Sequence, residues 1–429
     1  MFETLKNAFR NKDIRKKIFF TLLILLVFRV GCYIPVPGLT RSLFSDAIEG
    51  NSFLSLMSDI TGGSLASGTL FALGIGPYIN ASIIMQLLTI GIPAFEAWSK
   101  QGEEGKKKIA RITRILTIIL AVIQSIGIIV NFASTSGAVK YDLFFGSAVF
   151  AGFYMTIVYT AGAMLVMWLG ERITEHGIGN GMSMIIFIGI LSTAGDTILA
   201  KFAQAVSTPE VLLEIAFFVI LVIVVFFLIV FVDLAERRIP VQYAKQVRGT
   251  KMYGGQSSVI PMKISGSGVM PLIFAFALIS FPSMIMSLVP AWADAAEWWN
   301  TVFSSGTWWY VIVLCLFIFI FSFFYASIQF NPEDVSKSIQ QNGGFIQGIR
   351  PGKPTAQYLK RISKRITWLG AIYLTLIAFI PSFVFSWTSY DLVNVFSTTG
   401  ILIVVSVALE LDKQLQSQIM MKNYKGFLK

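Results

Sequence analysis

Few side chains in this sequence could carry chemistry, and they stand apart from one another. The only histidine, His176, lies in the short polar segment GERITEHGIGN, and the only cysteines, Cys32 and Cys315, lie in or beside apolar runs. A single imidazole has no second one with which to share a metal or a proton relay, so we interpret His176 as a solvated residue. Two thiols alone do not build a metal site. We therefore expect no metal and no cofactor.

Catalytic signatures are also missing from the sequence. It contains no GxxxxGK[ST] phosphate loop, no HExxH zinc motif and no nucleotide-binding glycine fingerprint. Its acids lie in loops or at the ends of apolar runs, whereas an intramembrane aspartic protease needs two of them inside spans. We therefore expect no enzymatic activity, and any energy source must come from a partner or a gradient.

The elements that hold these side chains are long apolar segments. Hydrophobic residues make up 55% of the 429 residues and charged residues 13%, with a mean hydropathy of +0.72, whereas soluble domains carry about 25% charged residues. A spanning helix needs about 20 mostly apolar residues. Ten spans are predicted near residues 18–34, 69–91, 112–131, 148–169, 178–195, 212–232, 269–289, 308–328, 366–386 and 392–410.

Basic residues predict how these spans are oriented. Of the 34 lysines and arginines, 30 fall in segments that an alternating topology places on one side, which the positive-inside rule identifies as the cytoplasm. Both chain ends are then cytoplasmic. The start resembles a signal peptide, but its apolar run reaches Pro35 without a small-residue cleavage site, so it is predicted to remain as the first span. We predict one all-α membrane domain, 1–429, of two related five-helix halves, about 1–200 and 205–429, around a central pore.

Two long cytoplasmic segments, 233–263 and 331–365, are expected to dock partners. Both exceed ordinary helix connections of about two to eight residues. The first alternates apolar residues around Gly-Gly and Pro, which predicts a projecting hairpin. The second turns at Gly343-Gly344 and again at Arg350-Pro351-Gly352, which presents Arg350 outward. The expected docking residues are Arg237, Arg238, Lys245, Arg248, Lys251, Arg350 and Lys353.

The segment 51–67, NSFLSLMSDITGGSLAS, is apolar at helical spacing but too short to span a bilayer. Gly62 and Gly63 suggest a hinge between it and the next span. It is either an interfacial helix on the outer leaflet or a re-entrant segment shielded by protein. Its apolar positions are Phe53, Leu54, Leu56, Met57 and Ile60.

Polar and small residues inside several spans, among them Asn80, Ser82 and Gln86, indicate either helix packing or an internal route. An ion-coupled secondary transporter of small solutes is the competing class. Such carriers place ionisable groups near the midplane, yet Arg29 is the only basic residue well inside a span and no mid-span carboxylate is evident. This pattern favours a conduit with an apolar constriction.

Several motifs resemble one family, the SecY/Sec61 alpha subunits of the protein-conducting channel. They are PVPG from Pro35, ALGIGPYINASIIMQLLT from Ala72, GERITEHGIGNGMS from Gly170, ERRIPVQYAK from Glu236, GVMPLIFA from Gly268 and GIRPGKPTAQYL from Gly348.

The resemblance implies a route for unfolded secretory chains across the bacterial plasma membrane, with a sideways exit for hydrophobic segments. The expected partners are SecE and SecG-like membrane subunits, the SecA motor ATPase, the ribosome, a translocating polypeptide with its signal sequence, and anionic lipids, but no specific nucleic acid. The segment 51–67 would be a plug. The implied pore ring is Ile79, Ile83, Ile186, Ile273 and Ile403, and the implied lateral gate includes Asn80, Gln86, Ser265, Gly268 and Pro271.

Overall fold

The computed structural model of the chain describes residues 8–39, 58, 61–133, 146–205, 208, 210–243, 246–248, 251–253, 257–264, 270–288, 292–303, 307–387 and 398–426. The helices in this part are α1 (Lys12–Gly31), α2 (Gly76–Gly91), α3 (Pro93–Lys100), α4 (Glu103–Ala133), α5 (Ala148–His176), α6 (Gly181–Ala205), α7 (Glu210–Leu234), α8 (Met270–Leu288), α9 (Ala293–Val302), α10 (Trp308–Gln329), α11 (Pro332–Gln341), α12 (Lys353–Trp387) and α13 (Thr398–Gly426). The strands are β1 (Glu236–Tyr243), β2 (Gln246–Arg248), β3 (Lys251–Tyr253), β4 (Ser257–Lys263) and β5 (Gly344–Phe345).

A helix lies in each of the ten predicted spans, so the helical, multi-span class is confirmed. Within the described residues, six helices are long and apolar enough to cross a membrane, or seven if α2 and α3, bent by 100° with respect to each other, count as one. The total of ten spans and their orientation stay predictions.

Several predicted boundaries were wrong; among them, α6 ends at Ala205, α12 begins at Lys353 and α13 ends at Gly426, where ends or starts near 195, 366 and 410 were expected. The span expected from residue 69 becomes helical only at Gly76, because turns with positive φ at Gly68 and Gly74 occupy the residues before it. The segment expected as a loop at 100–114 is helical from Glu103, and the polar segment around Glu171 is also helical, up to His176. The two helical extensions contact each other, because Nε of Arg114 on α4 donates a hydrogen bond to Oε1 of Glu171 on α5 at 2.8 Å.

The chain divides into two compact units. The first comprises residues 1–215, 277–307 and 407–429. In it, α2, α4 and α5 pack side by side. The turn segment 61–75 lies close to α5, where a Cβ on Gly162 would collide with the Leu70 carbonyl. The buried apolar cluster around this segment contains Val36, Leu65, Ala72, Leu73, Ala121, Ala151, Met155, Tyr159 and Ala163.

The second unit comprises residues 216–276 and 308–406 and contains a small sheet. Strand β1 pairs antiparallel with β4, with Ile239 opposite Ile260, which confirms the predicted hairpin. On its other edge β1 pairs with β5, which joins the two long segments into a single lobe. We call β1, β4, β5, α11 and the first turns of α12 the sheet lobe. Its buried core is Ile239, Val241, Met262, Ile339, Ile346, Leu359, Ile362 and Ile366.

Candidate functional site

The predicted plug segment is described only at its carboxyl-terminal end. Residues 51–57 and 59–60, and with them Phe53, Leu54, Leu56, Met57 and Ile60, lie outside the described residues. Gly62 and Gly63 both have positive φ, 70° and 77°, which only glycine adopts without strain.

The two hinge glycines differ in their surroundings. A Cβ on Gly63 would meet nothing within 4 Å, whereas one on Gly62 would lie 2.9 Å from Nη1 of Arg29 and 3.1 Å from the backbone of Gly189 in α6. The sequence predicts a single flexible hinge at this pair of glycines. In the structure, Gly62 is packed and Gly63 has free space.

Arg29 contacts this hinge directly. Its Nη1 donates a hydrogen bond to the Gly62 carbonyl at 3.0 Å, and its Nη2 donates to the Tyr33 hydroxyl at 3.1 Å. The same Nη2 lies 3.5 Å from Oδ2 of Asp196 in α6. Tyr33 lies four residues after Arg29, whereas Gly62 and Asp196 lie 33 and 167 residues away, so no local pattern of the sequence identifies those two partners.

Residues directly after the hinge are fixed by buried hydrogen bonds. The hydroxyls of Ser64 and Thr69 are 2.7 Å apart, and the Thr69 hydroxyl also donates to the Ser64 carbonyl at 3.0 Å. Leu65, between them, is 1% exposed. Residues 64–67 of the predicted plug segment, together with the two residues that follow them, therefore belong to the core of the first unit.

The five predicted ring residues occur on four helices. In the first unit, Ile79 and Ile83 lie four residues apart on α2, hence on one face, and both are half-buried, while Ile186 of α6 is buried. In the second unit, Ile273 of α8 is half-buried and Ile403 of α13 is buried. The structure describes all five positions, but the ring itself stays a prediction.

The structure describes only some of the residues predicted to form the lateral gate. Asn80 and Gln86 of α2 are half-buried, and Pro271 is buried at the start of α8, whereas Ser265 and Gly268 lie outside the described residues. Gln86 donates to the Ser82 hydroxyl at 3.4 Å, and its side-chain oxygen is buried without a hydrogen-bond partner. The side chains of Ser82 and Gln86 border a cavity of about 270 Å³ between α2, α4 and α5.

The predicted docking residues lie on or next to the sheet lobe. Arg237 and Arg238 are exposed on β1, and Arg238 pairs with Glu236 at 2.7 Å. The backbones of Arg248 and Lys251 pair in register across β2 and β3, and Lys245 lies outside the described residues.

Arg350 is held at a rigid turn. It is exposed between Gly348 and Gly352, whose φ angles are 81° and 95°. Its carbonyl accepts a hydrogen bond from the buried Thr355 hydroxyl at 2.8 Å, and the buried Ser336 hydroxyl donates to the Gly352 carbonyl at 2.8 Å. The backbone is thereby fixed while the guanidinium faces solvent, next to exposed Lys353.

A second cavity, of about 970 Å³, lies between the end of α10, α11 and the start of α12. Its wall combines apolar residues such as Phe323 and Phe330 with basic side chains. The lysines that line it are Lys337, Lys353, Lys360 and Lys364. In the described part of the chain, no three histidine, cysteine or acidic side chains lie close enough to hold a metal ion, and the absence of a metal stays an expectation.

The sequence is similar to one family of known proteins along its whole length. The family model described as SecY matches residues 69–411. The protein translocase subunit SecY of Streptomyces coelicolor is 42% identical over 441 residues, covering 100% of both chains. That of Halalkalibacterium halodurans is 39% identical over 435 residues, also covering 100% of both.

Solved structures share the fold. "The structure of a protein conducting channel" matches with a TM-score of 0.62 at 20% identity, over 94% of this chain and 91% of the other. Sec61 in the canine ribosome-channel complex from the endoplasmic reticulum matches with a TM-score of 0.57 at 19% identity, over the same shares. The fold is thus that of the membrane protein-conducting channels. At about 40% identity over its whole length, the chain belongs to the SecY family.

Proposed function

We propose that this chain forms the conduit through which a protein translocase of the cell membrane moves unfolded secretory polypeptides and releases hydrophobic segments sideways into the bilayer. Its relatives along the whole chain are named protein translocase subunits. The observation that carries the proposal is that all five positions predicted to form the ring are isoleucine. An apolar ring dewets and resists ions when empty, yet deforms around a polypeptide of any sequence.

The competing reading, an ion-coupled solute transporter, needs a titratable or cation-binding group at the midplane. Arg29 is the basic residue deepest in a span, and it binds the Gly62 carbonyl, Tyr33 and Asp196. A guanidinium does not deprotonate in proteins, so it cannot carry a coupling proton. This observation supports a conduit over a carrier.

We infer that the chain catalyses no reaction and takes its energy from a partner. SecE and SecG-like subunits would complete the membrane complex, and the SecA motor and the ribosome would use the sheet lobe, which we place in the cytoplasm. A ribosome-bound Sec61 channel has the same fold. Anionic lipids would occupy the cavity at the end of α10, because its four lysines border apolar side chains at the end of a span.

A crosslink tests the conduit directly. In a chain whose native cysteines are replaced by serine, Ile83→Cys should crosslink to a cysteine in a stalled secretory polypeptide, because residue 83 would line the path. Phe227→Cys is the matched control, since Phe227 is 71% exposed on α7 and belongs to neither the predicted ring nor the predicted gate. We expect a strong adduct at residue 83 and little at residue 227, measured by gel shift. Absence of the adduct at residue 83 during active export would favour the carrier.

Deleting part of the plug tests the seal. Residues 51–57 are the part to delete, because Leu65 and the Ser64–Thr69 hydrogen bonds belong to the core and their loss would harm folding. If the segment is re-entrant, the deletion should raise resting ion conductance in reconstituted bilayers several-fold and leave transport largely intact. An interfacial helix predicts unchanged conductance, and that result would remove the plug from the proposal.

A further inference from the structure

One face of α12 carries a row of lysines along the cavity of about 970 Å³ at the end of α10. Lys353, Lys360 and Lys364 are seven and four residues apart, a spacing that places side chains on the same face of a helix. Lys337 of α11 lines the same cavity, and all four side chains are exposed. Four ammonium groups from two helices therefore border one concave space.

These lysines are not neutralised by neighbouring carboxylates. In the part of the chain that the structure describes, none of the four forms an ion pair. Glu333 also lines the cavity, one helical turn before Lys337, but the two side chains are not paired. Like charges four residues apart, as at Lys360 and Lys364, destabilise a helix, and basic groups that converge on a cleft attract anions. The arrangement disfavours the chain alone and favours a bound anion.

Another part of the cavity wall is apolar. Phe323, Ala326 and Phe330 line it at the end of α10. Four residues after Lys364, α12 also becomes apolar: Trp368 is 49% exposed, and its ring lies edge-on to that of Phe323, with the ring centres 6.0 Å apart. Exposed tryptophan is typical of the boundary between lipid headgroups and hydrocarbon. The cavity therefore joins a basic surface to the exposed apolar surface of a predicted span.

We propose that this cavity binds one anionic phospholipid, with its phosphate-bearing headgroup at the lysines and an acyl chain along Phe323 and Trp368. The inference rests on the proposed function, in which the sheet lobe lies at the cytoplasmic membrane surface, and it assigns contacts to such a lipid. A soluble anion fits less well, because exposed ion pairs are weak in water and a small anion leaves the apolar wall uncovered. An acidic protein segment would neutralise the lysines but not cover the apolar surface that continues into the span.

A lipid in this cavity would contact α11 and α12 together. Ser336 and Gly352 both line the cavity, and the Ser336 hydroxyl donates a hydrogen bond to the Gly352 carbonyl at 2.8 Å, next to the turn that presents Arg350. Because both helices carry lysines, they repel each other across the cavity, and an anion between them replaces repulsion by attraction. Binding is therefore expected to stabilise the junction on which Arg350 lies.

Photolabelling of the purified full-length chain tests the site. The probes are phosphatidylglycerol and phosphatidylcholine, each with a photoreactive group in an acyl chain, added to the chain in an uncharged detergent. We expect phosphatidylglycerol to label the end of α10 and the part of α12 near Trp368 about tenfold more than phosphatidylcholine does, because only its headgroup carries a net charge for the lysines to bind. Mass spectrometry identifies and quantifies the labelled peptides. Equal labelling by the two lipids would leave only an unselective apolar groove and overturn the proposal.

A double variant removes two of the lysines. Lys360→Gln with Lys364→Gln should lower labelling by phosphatidylglycerol about tenfold, since each position loses a charge-assisted contact. Arg361→Gln with Arg365→Gln is the matched control, because these side chains are exposed at the same spacing on the same helix but do not line the cavity. The control should be labelled almost as strongly as the unaltered chain, and melting temperatures check that both variants fold. Equal losses would show that the overall charge of α12 attracts the lipid, and that no site exists.

Competitors identify the occupant. Unlabelled phosphatidylglycerol should protect the site, whereas inorganic phosphate and a polyglutamate peptide should protect it no more than chloride does at the same ionic strength. Protection by phosphate or by the peptide that equals protection by the lipid would assign the cavity to a soluble anion or to an acidic protein segment. Because labelling is measured without translocation, its failure would leave the proposed conduit standing, and failure of the Ile83→Cys crosslink would leave the lipid site standing.

Discussion

Replacing Arg350 by glutamate is expected to reduce motor-driven export by about tenfold or more, because a charge reversal places like charges at the docking surface, which costs far more than losing one contact. The local structure around Arg350 fits the proposed docking role. Its backbone is fixed through Thr355 and Ser336, while the side chain is exposed. Little conformational entropy is then lost on binding. The measurement is ATP-dependent translocation of a secretory precursor into vesicles.

Two further variants separate the effect of net charge from the effect of docking at Arg350. Lys140→Glu makes the same charge change in a segment that the predicted topology places on the outer side, and it should leave translocation near normal. Arg350→Lys keeps the charge but not the bidentate geometry that suits carboxylates, and should fall between the two. Equal defects from Arg350→Glu and Lys140→Glu would show that net charge, and not docking at Arg350, is what matters.

Local features of the sheet lobe were predictable from sequence, and its assembly was not. The β1–β4 hairpin follows from alternating apolar residues around a turn, and the turns near Gly343 and Gly352 follow from their glycines. The pairing of Gln242 with Phe345 joins two segments about one hundred residues apart through two residues only. So short a strand carries no periodic signal, and only the shared core of the lobe fixes it.

The contacts at the predicted plug hinge, Gly62 and Gly63, were likewise not predictable from the sequence. The sequence identified Gly62, Gly63 and Arg29 as unusual positions. It could not distinguish the two glycines, because the difference is the Gly189 backbone and the Arg29 guanidinium beside Gly62. Contacts over 33 and 167 residues along the chain depend on how the helices pack, and no local pattern reports them.

Replacing Ile83 or Ile273 by asparagine is expected to loosen signal discrimination, so that precursors with weak signals are exported more readily. Burial of one such apolar side chain is worth about 1.5 to 3 kcal/mol. A polar side chain wets the constriction and removes part of the advantage of the closed, dry state. The expected result is several-fold higher export of a weak-signal reporter together with higher resting conductance in bilayers.

Ile83 and Ile273 are chosen because asparagine at the other predicted ring positions is expected to destabilise the fold. Ile186 and Ile403 are 6% and 7% exposed, so asparagine there would bury an amide without partners and destabilise the fold. Ile83 and Ile273 are half-buried, so an amide at either position keeps part of its surface outside the packed core. Ile83→Leu and Ile273→Leu are the matched controls, since they keep the apolar surface and nearly the same volume, and they should retain normal discrimination. If the asparagine variants change neither discrimination nor conductance, these two residues do not line the pore, and the ring must be sought on other faces of α2 and α8.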